Sequence, residues 1–250
     1  RKRANLLLMG ELLCAFMVVF AVATFGLYYA NNFRRPLGFE YENVWSVYCL
    51  PDFSMLAKGG STELGSAYAS IYRELQQFEE IETVAGAESM VPYSMVSTSI
   101  STAQFEDAEV RAYTGRVSEG FFDALGLELV EGRWFDDSDA ALTRGSIVIT
   151  EQLRRDLFDE TNAVGKIVQI GNHTSVGTPG QTSDEGLRVV GVVADFRRGG
   201  EFEGIDPVLF HRLELDDAET LNKYFPSHFL LKTRPGTPLA LQERLATRIQ

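Results

Sequence analysis

Val117-Ser118-Glu119-Gly120-Phe121-Phe122-Asp123-Ala124-Leu125-Gly126-Leu127 holds a strand end, a short helix and its stop signal within eleven residues. Val110 to Val117 has the β-branched and aromatic content of a strand. Ser118 stands where an N-cap is wanted, and Phe121, Phe122 and Leu125 form an apolar stripe. Gly126 occupies the position that favours a left-handed C-cap, so residues 119 to 125 are expected to form one short helix. Strand and helix in alternation point to an α/β sandwich in which one helical face covers a sheet.

The same alternation continues in both directions. Upstream, Tyr41 to Leu50 is expected to be a strand ending at Pro51, Ser66 to Glu80 an amphipathic helix with Tyr68, Ile71, Tyr72, Leu75 and Phe78 on one face, and Thr83 to Met90 a returning strand. Downstream, Leu127 to Val130 is a further strand before the turn at Glu131-Gly132. Strand Ile147 to Ile149 then leads through the cap Thr150 into a helix from Glu151 to Phe158. Strands follow at 167 to 170, 187 to 193, 208 to 213 and 229 to 233, and Thr237-Pro238 opens a last helix with Leu241, Leu245 and Ile249 on one face. Residues 171 to 186, rich in Gly, Ser and Thr without apolar period, are expected to be a long exposed loop.

The first thirty residues belong to a different solvent. Leu6 to Ala30 carries a single charge, Glu11. At about 1.5 Å per residue it extends roughly 37 Å, more than a hydrocarbon core of about 30 Å. A cleaved signal peptide is the rival reading, with Arg1, Lys2 and Arg3 as its basic start and Ala21-Val22-Ala23 as its cleavage site. The apolar run continues past that site through Phe25, Leu27, Tyr28 and Tyr29, which favours a retained anchor over residues 1–35. Tyr28, Tyr29 and Phe33 would form its interfacial belt, with Arg34 and Arg35 reaching head groups. A chain that opens on Arg and closes inside an amphipathic helix is expected to have neighbours on both sides. A carboxylate within a membrane helix usually faces protein or another polar group, whereas one near the end of the span reaches water; both readings of Glu11 stand.

The whole chain is 45% hydrophobic and 23% charged, the composition of a folded protein. Setting aside five basic residues and one acid in the first 35 from totals of 23 and 35 leaves a formal charge of −16. Such a field repels phosphate, which excludes nucleic acid as a partner. Cys14 and Cys49 supply neither a disulfide framework nor a Cys-based metal site.

No catalytic motif is present. Lys58-Gly59-Gly60-Ser61 has the wrong order for a phosphate-binding loop, and His173, His211 and His228 lack ligand spacing. Asp136, Asp137 and Asp139 have neither the Gly nor the Glu of a calcium loop and read as a solvated turn. Asn172-His173-Thr174 matches a glycosylation sequon and reads as exposed loop. The expectation is therefore a protein that is not an enzyme, with no catalytic, cofactor-binding or metal-binding residues and no cofactor.

Four stretches in order carry a family likeness. The opening stretch with Glu131-Gly132-Arg133-Trp134-Phe135 and Asp139 is the first, and Ile147-Val148-Ile149-Thr150-Glu151 with Leu157-Phe158 the second. Ala163-Val164-Gly165-Lys166-Ile167 and Val189-Val190-Gly191-Val192-Val193-Ala194-Asp195-Phe196 complete the set. Together, over about eighty residues, they resemble the extracytoplasmic core of ABC-transporter permeases of the MacB/FtsX type. The resemblance implies an α+β fold: a transmembrane helix followed by a two-part extracytoplasmic domain. Its α/β porter-like portion would span residues 36–135 and 205–250, with a smaller, mainly-β inserted portion at 136–204.

It further implies a bacterial inner-membrane permease, periplasmic after about residue 36, that relays cytoplasmic ATP-driven motion outward. The outcome would be export of a drug, peptide or lipid-linked cargo, or control of an envelope enzyme. Implied partners are a cytoplasmic ABC ATPase subunit, a second permease in a homodimer or pseudo-dimer, membrane lipid, and a periplasmic or outer-membrane protein. The four membrane helices and the coupling helix of such permeases are not all in this sequence, and the loop at 171–186 is longer than the pattern. The alternative from another class is the sensor or binding domain of a one-pass membrane receptor. The two differ beyond Gln250: a permease requires three further apolar runs, a receptor one run and a signalling helix.

Overall fold

The computed structural model describes residues 2–49, 51, 61–94, 99–141, 144–159, 161–173 and 186–249. Lys58 to Gly60 and most of the expected loop at 171–186 fall outside the described residues. One helix, α1 (Lys2–Phe33), precedes a mixed domain. Its stretch Asn5–Phe33 is long and apolar enough to cross a membrane, by length and composition, and its apolar side chains, like Glu11, are exposed.

After α1 come β1 (Val44–Tyr48), α2 (Ser61–Leu75), β2 (Ile81–Ala87), β3 (Ser99–Phe105), β4 (Ala108–Val117), α3 (Phe121–Leu125), β5 (Leu129–Gly132), β6 (Ser146–Thr150), α4 (Glu151–Phe158), β7 (Ile167–His173), β8 (Leu187–Val193), β9 (Val208–Arg212), α5 (Ala218–Lys223), β10 (His228–Thr233) and α6 (Ala240–Ile249). Among the described residues, ten strands pair into one network. Six of them form an unbroken circuit: β4 pairs β3, β3 pairs β7, β7 pairs β8, β8 pairs β6, β6 pairs β9, and β9 returns to β4. Closing the circuit removes the exposed edges that an open sheet would offer.

One side of these strands supplies Ala103, Ala112, Ile147, Ile149, Val168, Ile170, Val189, Val192 and Leu209 to a core that α4 completes with Leu153, Leu157 and Phe158. Val189 and Val192 are three apart, yet share that core. A register shift between Ile147 and Val148 puts Val148 opposite Gly191, and the bulge restores the alternation. Gly191 is required there, since a Cβ would lie 2.0 Å from the Arg133 carbonyl oxygen.

Of the other four strands, β5 pairs antiparallel with β8, and the rest make a second layer, β1–β10–β2, joined to the circuit through the pair Ala87 and Val117. One face packs on α2, α5 and α6 through Leu64, Tyr68, Leu75, Leu221, Phe229, Leu231, Leu241 and Leu245. The opposite face, with Ala85, Ala87 and Leu230, meets α3 and the outer side of the circuit. Residues 136–204 contribute β6, α4, β7 and β8, and the ladders β3–β7 and β6–β9 tie them to the rest of the domain.

Three local expectations need correction. Ser118 does not cap α3 through its side chain; its Oγ accepts the Gly86 N–H at 2.9 Å, and Gly120 holds the N-cap position. Gly126 does form the left-handed stop, at φ 56°. Thr150 flanks α4 with extended backbone, but its Oγ1 accepts from Val208 N rather than from the helix. Asn172 and His173 are not loop residues: they end β7, opposite Ser101 and Ile100 of β3.

Candidate functional site

The place where α1 meets the domain is built on three consecutive residues. β8 ends at Val193, and Asp195, Phe196 and Arg197 then send their side chains to three different elements. Asp195 replaces the missing helix cap: its carboxylate accepts Gln152 N at 2.6 Å and Arg155 Nη2 at 2.7 Å. A negative group at the first turn of α4 is favoured by the partial positive charge there. Asp195→Ala is expected to lose about 2 kcal/mol, the sum of a cap and a charge-assisted bond, read as a lower urea midpoint.

Phe196 is fully buried and continues inward. Its ring centroid lies 5.5 Å from Phe39, 6.2 Å from Phe121 and 5.7 Å from Phe210. The chain from residue 39 onward is thus packed on the same aromatic cluster as β9 and α3.

Arg197 turns back toward the helix. Its guanidinium donates from Nη1 to the carbonyls of Asn32 (2.9 Å) and Arg35 (3.1 Å), and from Nη2 to those of Glu201 (3.0 Å) and Glu203 (2.6 Å). It is 1% exposed, and its four bonds all go to main-chain oxygens. Asn32 lies in the last turn of α1, where carbonyls carry partial negative charge, and Arg35 lies just beyond it; the Asn32 carbonyl also accepts the Arg35 N–H at 3.2 Å. The cation therefore closes the C-terminus of α1 and, with its other nitrogen, holds the 197–203 turn.

The connector between α1 and β1 is pinned beside it. Arg197 N donates to Leu37 O at 2.9 Å, and Glu40 N to Leu125 O at 2.7 Å. Gly38 has φ +77°, and a Cβ there would lie 1.9 Å from the Asp195 carbonyl oxygen. Asn32, 3% exposed, faces the domain, and Tyr29 meets Phe202 edge-on at 6.0 Å. Tyr93 closes the side of the turn, its hydroxyl donating to Glu201 Oε2 at 3.0 Å and its ring filling the space beside Gly200.

The remaining polar clusters are internal ties. Asp139 is buried and takes a two-pronged bond from Arg133 (2.7 and 2.8 Å), with Asp136 N also donating to it. Against its desolvation, the Arg133 and Ser146 hydrogen bonds bring its pKa down to about 2. The expected solvated turn is therefore solvated at Asp136 and Asp137 only. Among the described residues, no three of His, Cys, Asp and Glu gather as metal ligands. A cleft of about 400 Å³ is lined by Tyr72, Glu119, Asp137, Arg212, Glu214 and Asp217. Arg212, the cation within it, is engaged by Glu119, Glu214 and Asp137.

His211, on β9, is kept neutral: burial, then the nearby Arg116 charge, push its pKa down to about 3 from 6.5. Between these values the unfolded chain binds a proton that the folded chain refuses, so stability is full above about 6.5 and falls as pH drops toward about 3. Urea unfolding at neutral and mildly acidic pH should show a steeper loss for the native chain than for His211→Gln.

Comparison with known proteins fits this architecture. The family model of the MacB-like periplasmic core domain matches residues 12–248. The chain belongs to that family. The MacB-like core is similar to the macrolide export ATP-binding/permease protein MacB 1/2 of Paracoccus denitrificans, 26% identical over 157 residues, which are 63% of this chain and 20% of the relative. It shares its fold with the periplasmic region of MacB from Actinobacillus actinomycetemcomitans (TM-score 0.52, 19% identity, 83% of this chain and 82% of that one). The extracellular domain of YknZ, a noncanonic ABC-type transporter of Gram-positive bacteria, is a second structural neighbour (TM-score 0.50, 15% identity, 81% and 88%). The chain spans about a fifth of the length of the curated MacB relatives. The resemblance to MacB/FtsX-type permeases read from residues 117 to 196 is thereby met.

The residues that built that resemblance include Asp195 and Phe196, which the structure places at the centre of the joint. Arg197, the third member, was missed. No pattern in the sequence marks which arginine of the Arg197-Arg198 pair is buried.

Proposed function

We propose that this chain is the first membrane helix and extracytoplasmic domain of a bacterial inner-membrane ABC-transporter permease, and that it relays motion generated elsewhere. The observation that carries the reading is the Arg197 clamp. A helix that only anchored a domain could be joined by a loose linker. Here the helix end, the connector and the segment that follows β8 share one set of hydrogen bonds around a buried guanidinium, so tilt or rotation of α1 is transmitted to the domain. ATP hydrolysis belongs to a cytoplasmic ATPase subunit or segment outside this sequence, and the chain contributes no catalytic residue of its own.

Two permease copies, or a pseudo-dimer, would be driven together. The moving domain would expel a drug, peptide or lipid-linked cargo, through a periplasmic or outer-membrane partner, or act on an envelope enzyme. The division into a porter-like portion (36–135 and 205–250) and a smaller inserted portion (136–204) is supported by the core beneath α2, α5 and α6, which draws on the first portion only. The test uses the full-length protein with its ATPase in proteoliposomes, spin-labelled at Leu239 in each copy. Adding ATP should shift the distance between labels, and exhaustion of ATP should reverse it. Active hydrolysis with an unchanged distance contradicts the reading.

A further inference from the structure

We propose that Phe202 is a second membrane contact, its ring seated in the interfacial layer of the outer leaflet beside Tyr29. The proposal rests on α1 spanning the bilayer, and its experiment separates the two.

Height comes first. Counted from Arg3 at about 1.5 Å per residue, Tyr29 stands roughly 39 Å along α1. That is past a hydrocarbon core of about 30 Å and within the 40–45 Å that includes head groups. Phe202 contacts Tyr29 at 6.0 Å between ring centroids, so it shares that level. Aromatic rings are favoured there.

Exposure comes second. Phe202 is 65% exposed, whereas Phe39, Phe121, Phe196 and Phe210 of the domain's aromatic cluster are buried. The turn Gly200–Phe202 instead holds the ring outward, with Gly200 at φ +82° and Tyr93 packed against its Cα, which forbids a side chain at that position.

Polar groups come third, because a turn approaching lipid must not bring bare carbonyls with it. The carbonyls on either side of Phe202, those of Glu201 and Glu203, are both taken by Arg197 Nη2. The Glu201 carboxylate accepts from Tyr93, and the Glu203 carboxylate folds over Gly199. Arg34 and Arg35 supply positive charge at the same end of α1, offsetting these acids toward phosphate head groups. Arg197 thus serves the helix end and the lipid-facing turn at once.

The test is a depth measurement on the full-length protein in nanodiscs of phosphatidylethanolamine with a minor share of phosphatidylglycerol. With Cys14 and Cys49 replaced by Ala, single spin labels are placed at Tyr29→Cys, Phe202→Cys and Leu239→Cys. Leu239 is the aqueous reference. β10 runs antiparallel to β2, so Thr233 lies beside Ile81, at the end opposite Ala87 and the Tyr93 joint. The ratio of oxygen to nickel-chelate accessibility at 202 should match that at 29 and exceed that at 239 several-fold. A lipid-like ratio at 29 with an aqueous one at 202 overturns the proposal and leaves the span intact. Aqueous ratios at both positions overturn the spanning reading and the proposal with it. A label at 202 shielded from both reagents means a protein partner covers it, which also overturns it. Phe202→Trp, without a label, should be quenched by brominated lipid to the same extent as Tyr29→Trp, and absence of quenching counts against the contact.

Discussion

Arg197→Ala is expected to lower the unfolding free energy of the domain by about 4 kcal/mol, since hydrogen bonds from a charged donor are worth about 1.5–3 kcal/mol each and the carbonyls left behind keep part of their desolvation cost. Four main-chain carbonyls lose the guanidinium together, and the Asn32 carbonyl keeps the weaker bond from Arg35 N at 3.2 Å. Arg197→Lys should recover part of this, because an ammonium keeps the charge but cannot span two pairs of carbonyls with a planar fork. Urea unfolding followed by the fluorescence of Trp45 and Trp134 orders the three chains as native, Lys, Ala. Equal midpoints for native and Ala would mean that the clamp stores no stability.

The second large effect is at Gly38. A methyl group there would stand 1.9 Å from the Asp195 carbonyl oxygen, and at φ +77° the backbone itself disfavours any side chain. Neither atom is the end of a flexible group, so the connector must lift from the end of β8 and take the Arg197 N to Leu37 O bond with it. Gly38→Ala is therefore expected to cost about 3 kcal/mol or more, in the range reserved for strain at special backbone positions. Gly236, at φ +83° with open space around its Cβ, is the control. Its Ala variant carries the backbone penalty of about 1 kcal/mol without a clash. If the two variants unfold alike, the close approach at Gly38 is not a constraint.

Legibility from sequence tracked how local each signal is. Helix α4 runs from Glu151 to Phe158, as its periodicity and the preceding strand predict, because the apolar stripe Leu153, Leu157 and Phe158 is an intrinsic property of eight residues. The C-cap at Gly126 was legible for the same reason. The caps assigned to Ser118 and Thr150 failed because both hydroxyls are spent on long-range partners, Gly86 and Val208, which spacing does not reveal. Strand β3, Ser99–Phe105, carried no strand signal: Ser101, Thr102 and Ala103 are small or polar, yet buried between β4 and β7. Without β3 the circuit of six strands cannot be read. The joint was half legible. Asp195 and Phe196 belong to a recognisable run, while Arg197 and Gly38 matter only through what lies across from them in space.

Transmission requires that α1 and the domain move as one body. The direct measurement is the distance between a spin label on α1, at Phe20→Cys, and one on the domain, at Leu239→Cys. It is made in the reconstituted full-length protein with its ATPase, before and after trapping the ATP-bound state. The predicted result is a narrow distance distribution that keeps its centre through the cycle and broadens in Arg197→Ala. A centre that shifts with nucleotide in the native protein, or a broad distribution indifferent to Arg197, would contradict it.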